Sequence, residues 1–294
     1  MPIRRTAAVV AALVLLAGCG SAEQATRERK GQTGFVAGGG TLTEFAKGDR
    51  KPAPAVTGET LEENQRRAHS QMDMSQIDAA IVALSAYADY PKEHRPGVLV
   101  EDVIPGTPAE GKLFAGDLIL RIDGKPLDDP QQLGEQIAAA GAGHALTFTV
   151  RPVEAEASKT EDVSLAPVMV QGVDHPVIGI SAVANFPFPV EITSGNIGGP
   201  SAGLMWTLGL IDVLTPGELT GGRTIAGTGV ISPDGTVGAI GGVEEKVVAA
   251  ERAGAELFFV PLDNASAARS VAHDIRIVPV GTFTDAVRFL QGNG

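Results

Sequence analysis

Ser201 and Lys246 stand where residue type and spacing could do chemistry. Ser201 follows two glycines and a proline in "NIGGPSAGLMWTLGL" (196–210) and opens an almost wholly apolar run with no histidine nearby. Lys246 lies in "GGVEEKVVAAERAGAE", where helical spacing puts it on the stripe of Val243, Val247, Ala250 and Ala253. Glu244, Glu245, Glu251 and Arg252 fall mostly on the other side. A lysine among valines and alanines loses hydration, and burial lowers the pKa of an amine. A neutral amine near pH 7 can take the proton of a serine hydroxyl that attacks a carbonyl. Each residue also has an ordinary explanation. A serine before an apolar run is a favoured helix N-cap, and a lysine can bury its stem while its ammonium stays in water. The helix pattern alone does not choose between these.

The elements around the pair must hold the serine in a turn and the lysine on a helix. Gly198 and Gly199 allow tight backbone and close approach, and Pro200 fixes the entry to the following helix. The positive end of that helix, with unpaired N–H groups near Gly199–Ser201, suits a developing oxyanion. From Val168 onward strands and helices alternate. Strands are expected at Val177–Val183, Val190–Thr193, Thr224–Ile231, Leu257–Val260 and Ile275–Val280. Helices are expected at Ser201–Leu214, Gly242–Ala253, Ala265–Val271 and Phe283–Gln291. "SPDG" at Ser232–Gly235 marks a turn between two short strands. This is an α/β unit over 168–294, preceded by a mostly helical stretch at 61–85.

Between these lies a β-rich stretch, 86–167. Strand-like runs fall at Val98–Ile104, Leu118–Asp123 and Ala145–Val150, with Asp129 as N-cap and Pro130 as first residue of a helix ending at Ala140. The segment "PGTPAEGKLFAGDLILRIDG" resembles a PDZ domain. The resemblance implies that Gly97, Val98, Leu99 and Val100 dock an extended peptide as an added strand, with Leu133 and Ile137 lining its side-chain pocket.

"GGPSAG" together with "TGVISPDGTVGAIGGVEEKVVAAERAGAELFFVP" resembles the proteolytic domain of the Lon family, from about Phe186 to Pro261. These are serine peptidases with a Ser-Lys dyad. The resemblance therefore implies Ser201 as nucleophile, Lys246 as general base and Thr228, in "AGTGVIS", as the group that orients the lysine. It also implies a homo-oligomeric ring. The fold class expected is an α/β (α+β) Lon-type proteolytic domain preceded by a β-rich PDZ-like domain, as in the smaller, membrane-tethered, ATP-independent branch of the family. Three features depart from the family. The sequence contains no GxxxxGK[ST] nucleotide motif, Val230 stands where the ATP-driven enzymes tend to carry an acid, and the chain opens on a leader rather than a transmembrane helix.

That leader is "MPIRRTAAVVAALVLLAGCGS": Arg4 and Arg5, an apolar run from Thr6 to Leu16, then "LAGC", which resembles a lipobox with Cys19 as the lipidated residue. Residues 1–19 are thus expected to be an export signal, and the polar, glycine-rich residues 20–60 a flexible linker. Cys19 is the one cysteine, so no disulfide can form within the chain. A net charge of −12 argues against a nucleic-acid partner. No metal-ligand spacing occurs, so neither metal nor cofactor is expected. Asp174-His175 and His273-Asp274 are poor candidates for a triad with Ser201, since chain neighbours do not face one another as a triad requires and no GxSxG elbow is present. The sequence thus points to an exported, lipid-anchored, ATP-independent endopeptidase on the extracytoplasmic face, its polypeptide substrates selected by a PDZ domain. The alternative is a non-catalytic lipoprotein scaffold that binds peptide tails. Intact Ser201, Thr228 and Lys246 tell against it.

Overall fold

A computed structural model describes residues 9–11, 35–37, 61–153, 155, 158–192 and 198–292. Cys19 and most of the leader and linker lie outside the described residues. The chain forms two compact units: residues 88–189, and the segment up to Tyr87 together with Val190–Gly294.

The 88–189 unit is built on one antiparallel sheet. Its strands are β3 (Arg95–Val103), β4 (Leu118–Ile122), β6 (Leu146–Arg151), β7 (Glu161–Leu165) and β8 (Ile180–Asn185), in the order β7-β6-β4-β3-β8, with the two-residue β5 (Lys125–Pro126) paired to β4. Val98, Val100, Ile119, Ile122, Phe148 and Val150 form a fully buried core. Helix α2 (Pro130–Ala140) adds Leu133 and Ile137 to it. Its start is the one expected: Asp129 accepts the Gln132 N–H at 2.9 Å.

The unit reaches 22 residues beyond the expected boundary at Pro167, because β8 belongs to this sheet and not to the following unit. Val98 and Val100 of β3 lie opposite Ala184 and Ala182, and Val103 lies opposite Ile180. Without β8, the backbone groups on that side of a buried strand would have no partners.

The other unit carries a parallel sheet of β10 (Ile225–Gly227), β13 (Leu257–Pro261) and β14 (Arg276–Val280), with β2 (Phe35–Ala37) beyond β10. Every residue of β13 is buried, as expected for a strand covered on both faces. A second three-residue strand from the start of the chain, β1 (Val9–Ala11), pairs parallel with β9 (Val190–Ile192). The "SPDG" turn forms as expected, with Gly235 N–H on Ser232 O at 2.8 Å, between β11 (Val230–Ile231) and β12 (Val237–Gly238).

Helix α3 (Gly203–Leu214) is almost wholly buried, and Pro200–Ala202 form a 3-10 turn ahead of it. Helix α4 (Val243–Arg252) buries Val243, Val247 and Ala250 against Phe258 and Val260, beside α5 (Ala265–Val271); α6 (Phe283–Gly292) closes the chain. The helix expected only as a lead-in, α1 (Leu61–Tyr87), is part of this unit: it packs on α3 and buries Met72, Ser75, Ile77 and all of Ala79–Leu84. Among the described residues no helix is long and apolar enough to cross a membrane.

Candidate active site

Two elements that carry residues 45 positions apart bring Ser201 and Lys246 together. The turn before α3 presents Ser201, and the apolar face of α4 presents Lys246, whose Nζ lies 2.8 Å from Ser201 Oγ. Of the valine and alanine stripe predicted around the lysine, Val243, Val247 and Ala250 form the buried face of α4, whereas Ala253 is exposed just past its end; Glu244 and Glu245 are exposed. Burial lowers the Lys246 pKa from 10.5 to about 8. Ser201 Oγ caps neither helix start; neither the 3-10 turn nor α3 has a side-chain cap. The histidines weighed for this serine are engaged elsewhere, His175 with Asp174 at 2.8 Å and His273 with Glu251 at 3.7 Å.

Thr228 is fully buried next to Ser201, at the end of β10. Its hydroxyl donates to the Ser201 carbonyl at 3.0 Å, and the Gly229 N–H reaches the same oxygen at 2.8 Å. The hydroxyl thereby grips the serine's own backbone and keeps lone pairs to accept a further hydrogen bond. In return Leu204 N–H bonds Gly229 O at 3.1 Å.

The turn itself departs from expectation as an oxyanion site. Gly199 adopts φ 89°, a conformation that favours glycine. Its N–H, however, is spent on Ala68 O of α1 at 2.7 Å, and Pro200 has none. Of the three turn residues expected to frame the oxyanion, Gly199 and Pro200 thus supply no donor, and Gly198 is exposed beside α1. The Ser201 N–H, in the first turn of a helix where amides lack intrahelical acceptors, stands beside Oγ. On the other side of the turn Ser75 of α1 donates to Pro200 O at 3.0 Å. Neither Ala68 nor Ser75 was legible as a site residue, because α1 meets the turn only through long-range packing.

In the 88–189 unit a cavity of about 240 Å³ is lined by Leu133, Gly134 and Ile137 of α2 and by Ile178, Ile180 and Ala182 at β8. Leu133 and Ile137, the helix positions expected to line a side-chain pocket, line this cavity. Gly97, Val98, Leu99 and Val100 do not. They lie in β3, which is paired on one side with β4 and on the other with β8, and all four are buried. An interior strand has no free edge for a peptide, whereas β8 is the edge strand of the sheet. The sequence offers two glycine-then-apolar segments, "GVLV" at 97 and "GISAV" at 179. Pattern alone does not say which becomes the edge.

Comparison with known proteins agrees with both units. Residues 188–288 match the Lon protease (S16) C-terminal proteolytic domain, and residues 86–163 match the PDZ domain. The chain is 35% identical over 95 residues to the Lon protease of Neorickettsia sennetsu, covering 31% of this chain and 11% of that one. It is 34% identical over 103 residues to Lon protease 2 of Bacillus subtilis, covering 35% of this chain and 17% of that one. The chain thus spans between about a tenth and a sixth of the length of these curated relatives. Among solved structures, the PDZ domain of the SdrC-like protein of Listeria innocua shares 30% identity, covering 29% of this chain and 92% of that one, with a TM-score of 0.26. A PDZ domain therefore precedes a Lon-type C-terminal proteolytic domain in this chain, and the latter supports a serine peptidase.

Proposed function

We propose that this protein is a serine endopeptidase that uses Ser201 and Lys246 as a catalytic dyad and works without ATP. The observation that carries the proposal is the 2.8 Å contact between Lys246 Nζ and Ser201 Oγ at a lysine whose burial brings its pKa to about 8. At pH 7 about a tenth of such a lysine is neutral, and that fraction rises as pH climbs through 8. In the proposed cycle the neutral amine takes the Ser201 proton, Oγ attacks a peptide carbonyl, and the Ser201 N–H faces the tetrahedral oxyanion. The resulting ammonium protonates the departing amine, leaving an acyl-enzyme. Water enters by the reverse route and frees the serine.

ATP independence is supported by the absence of a GxxxxGK[ST] motif from these 294 residues. Without a motor the substrates are unfolded or flexible polypeptides, and the α2–β8 groove selects their extended or C-terminal segments. The Arg4-Arg5 leader and "LAGC" support export and attachment to the membrane through a lipid on Cys19. The resemblance to Lon proteases supports a ring assembly.

The test is digestion of an unfolded protein without nucleotide by the parent, Ser201→Ala and Lys246→Ala. Loss of cleavage in both variants, with parental activity rising through about pH 8, is the expected result. Cleavage that survives Lys246→Ala would place the base elsewhere.

A further inference from the structure

We infer that Ser75, on the helix that precedes the PDZ unit in sequence, is a positioning residue for the Ser201 nucleophile. The inference rests on the dyad proposed above and extends it to α1, a helix outside the matched proteolytic segment.

Two α1 groups hold the serine turn. Ala68 O takes the Gly199 N–H at 2.7 Å, and the Ser75 hydroxyl donates to Pro200 O at 3.0 Å. These acceptor and donor sites flank the residue immediately before Ser201. Ser75 is 2% exposed, and a buried hydroxyl is retained where it has a partner to satisfy.

The turn is shaped to let the helix in. A Cβ on Gly198 would come within 2.8 Å of the Ala68 Cβ, and one on Gly203 would come within 2.8 Å of Ser75 Oγ. Both glycines therefore serve close approach of α1 on either side of the nucleophile. Thr228 and Gly229 hold the Ser201 carbonyl from another direction. The backbone on both sides of the reactive hydroxyl is thus fixed, and α1 supplies one half of that grip. Ser75 touches no reacting atom. It acts through the Pro200 carbonyl, so its removal should change how often Oγ is aimed and leave the lysine's proton affinity alone.

The experiment uses the full-length chain and a fluorophosphonate reagent. Ser201 Oγ forms a bond to phosphorus, the P–F bond breaks, fluoride leaves, and the serine proton passes to Lys246. Labelling rate is measured against pH for the parent, Ser201→Ala, Ser75→Ala and Ile81→Val, with the melting temperature of each. Ile81 is a buried residue of the same helix, further along it than Ser75 and without a bond to the serine turn among those described. The expected result is a plateau rate about tenfold lower in Ser75→Ala, with its pH midpoint unmoved, and a plateau close to parental in Ile81→Val. An unchanged plateau in Ser75→Ala overturns the inference. So does an equal fall in Ile81→Val at equal loss of melting temperature, which would mean general loosening of the helix. If Ser75→Ala does not fold, Ser75→Cys, with a weaker donor of similar size, carries the same comparison. A parent that is labelled no faster than Ser201→Ala overturns the dyad itself, and the role of Ser75 with it. That outcome is distinct from a labelled parent with an indifferent Ser75.

Discussion

The lysine of the proposed dyad is held at a disadvantage that should be visible in stability as well as in rate. Below about pH 8 Lys246 is charged in both the folded and the unfolded chain, and only the folded one keeps it partly buried. Between about 8 and 10.5 the unfolded chain holds a proton that the folded chain has released, so parental stability rises with pH across that window. Lys246→Met removes the penalty while filling similar space. We expect it to abolish turnover yet raise the unfolding free energy at pH 7, by up to about 3 kcal/mol. The gain over the parent should shrink from pH 8 to 10.5, and chemical denaturation at several pH values measures it. A variant less stable than the parent at pH 7 would mean that the partners of the ammonium outweigh the cost of burying it. Thr228→Val, nearly the same shape, removes the hydroxyl from the Ser201 carbonyl and should lower stability by about 1 kcal/mol and slow acylation together. Ser201 and Lys246 were legible as a pair through the resemblance their motifs carry, since the helical stripe around Lys246 alone left a snorkelling lysine equally open. The grip on the serine backbone was not, because its donors and acceptors, on Ala68, Ser75, Thr228 and Gly229, reach the turn only through long-range packing.

Helices α1 and α2 show what sequence periodicity does and does not convey about elements. α2 announced itself through Asp129, Pro130 and the pair Leu133 and Ile137, all of which behave as expected. The importance of α1 did not show, because its last turns are buried on every side from Ala79 to Leu84, and a helix with no solvent face has no stripe to read. Gly134 bears on the groove directly. It sits inside α2, where glycine costs about 1 kcal/mol relative to alanine, and open space lies where its Cβ would be. No packing within the unit requires the glycine, while the groove runs past it. Gly134→Ala should therefore raise the melting temperature by a few degrees. Gly134→Leu should fill the groove and weaken binding of extended peptides by tenfold or more, without altering fluorophosphonate labelling of Ser201. Peptide titration by fluorescence anisotropy decides. Equal affinity in the parent and Gly134→Leu would remove this cavity from peptide recognition.

At the scale of the whole chain, the proteolytic unit is assembled from two stretches of sequence with the PDZ unit placed between them. The boundary read from the sequence, at Pro167, fails for a physical reason. Residues 180–185 read as a strand without a clear alternation, and which sheet they join depends on β3, some eighty residues earlier. Fragment behaviour follows from this division. A fragment covering 88–189 contains the complete β7-β6-β4-β3-β8 sheet and both walls of the groove, and should fold cooperatively by itself. One ending at Pro167 lacks β8, leaves the edge of the buried β3 bare and loses one groove wall. It should aggregate or show no cooperative melt. A chain starting at Ala88 keeps Ser201, Thr228 and Lys246 but lacks α1, and with it the Ala68 and Ser75 bonds to the serine turn and the partner of α3. Its proteolytic unit should be unstable and unlabelled by the fluorophosphonate. Replacing residues 88–189 by a flexible glycine-serine linker, with α1 retained, should instead preserve labelling. If the chain from Ala88 proves as stable and as reactive as the parent, α1 is a passenger, and the proteolytic unit is the contiguous domain that its sequence first suggests.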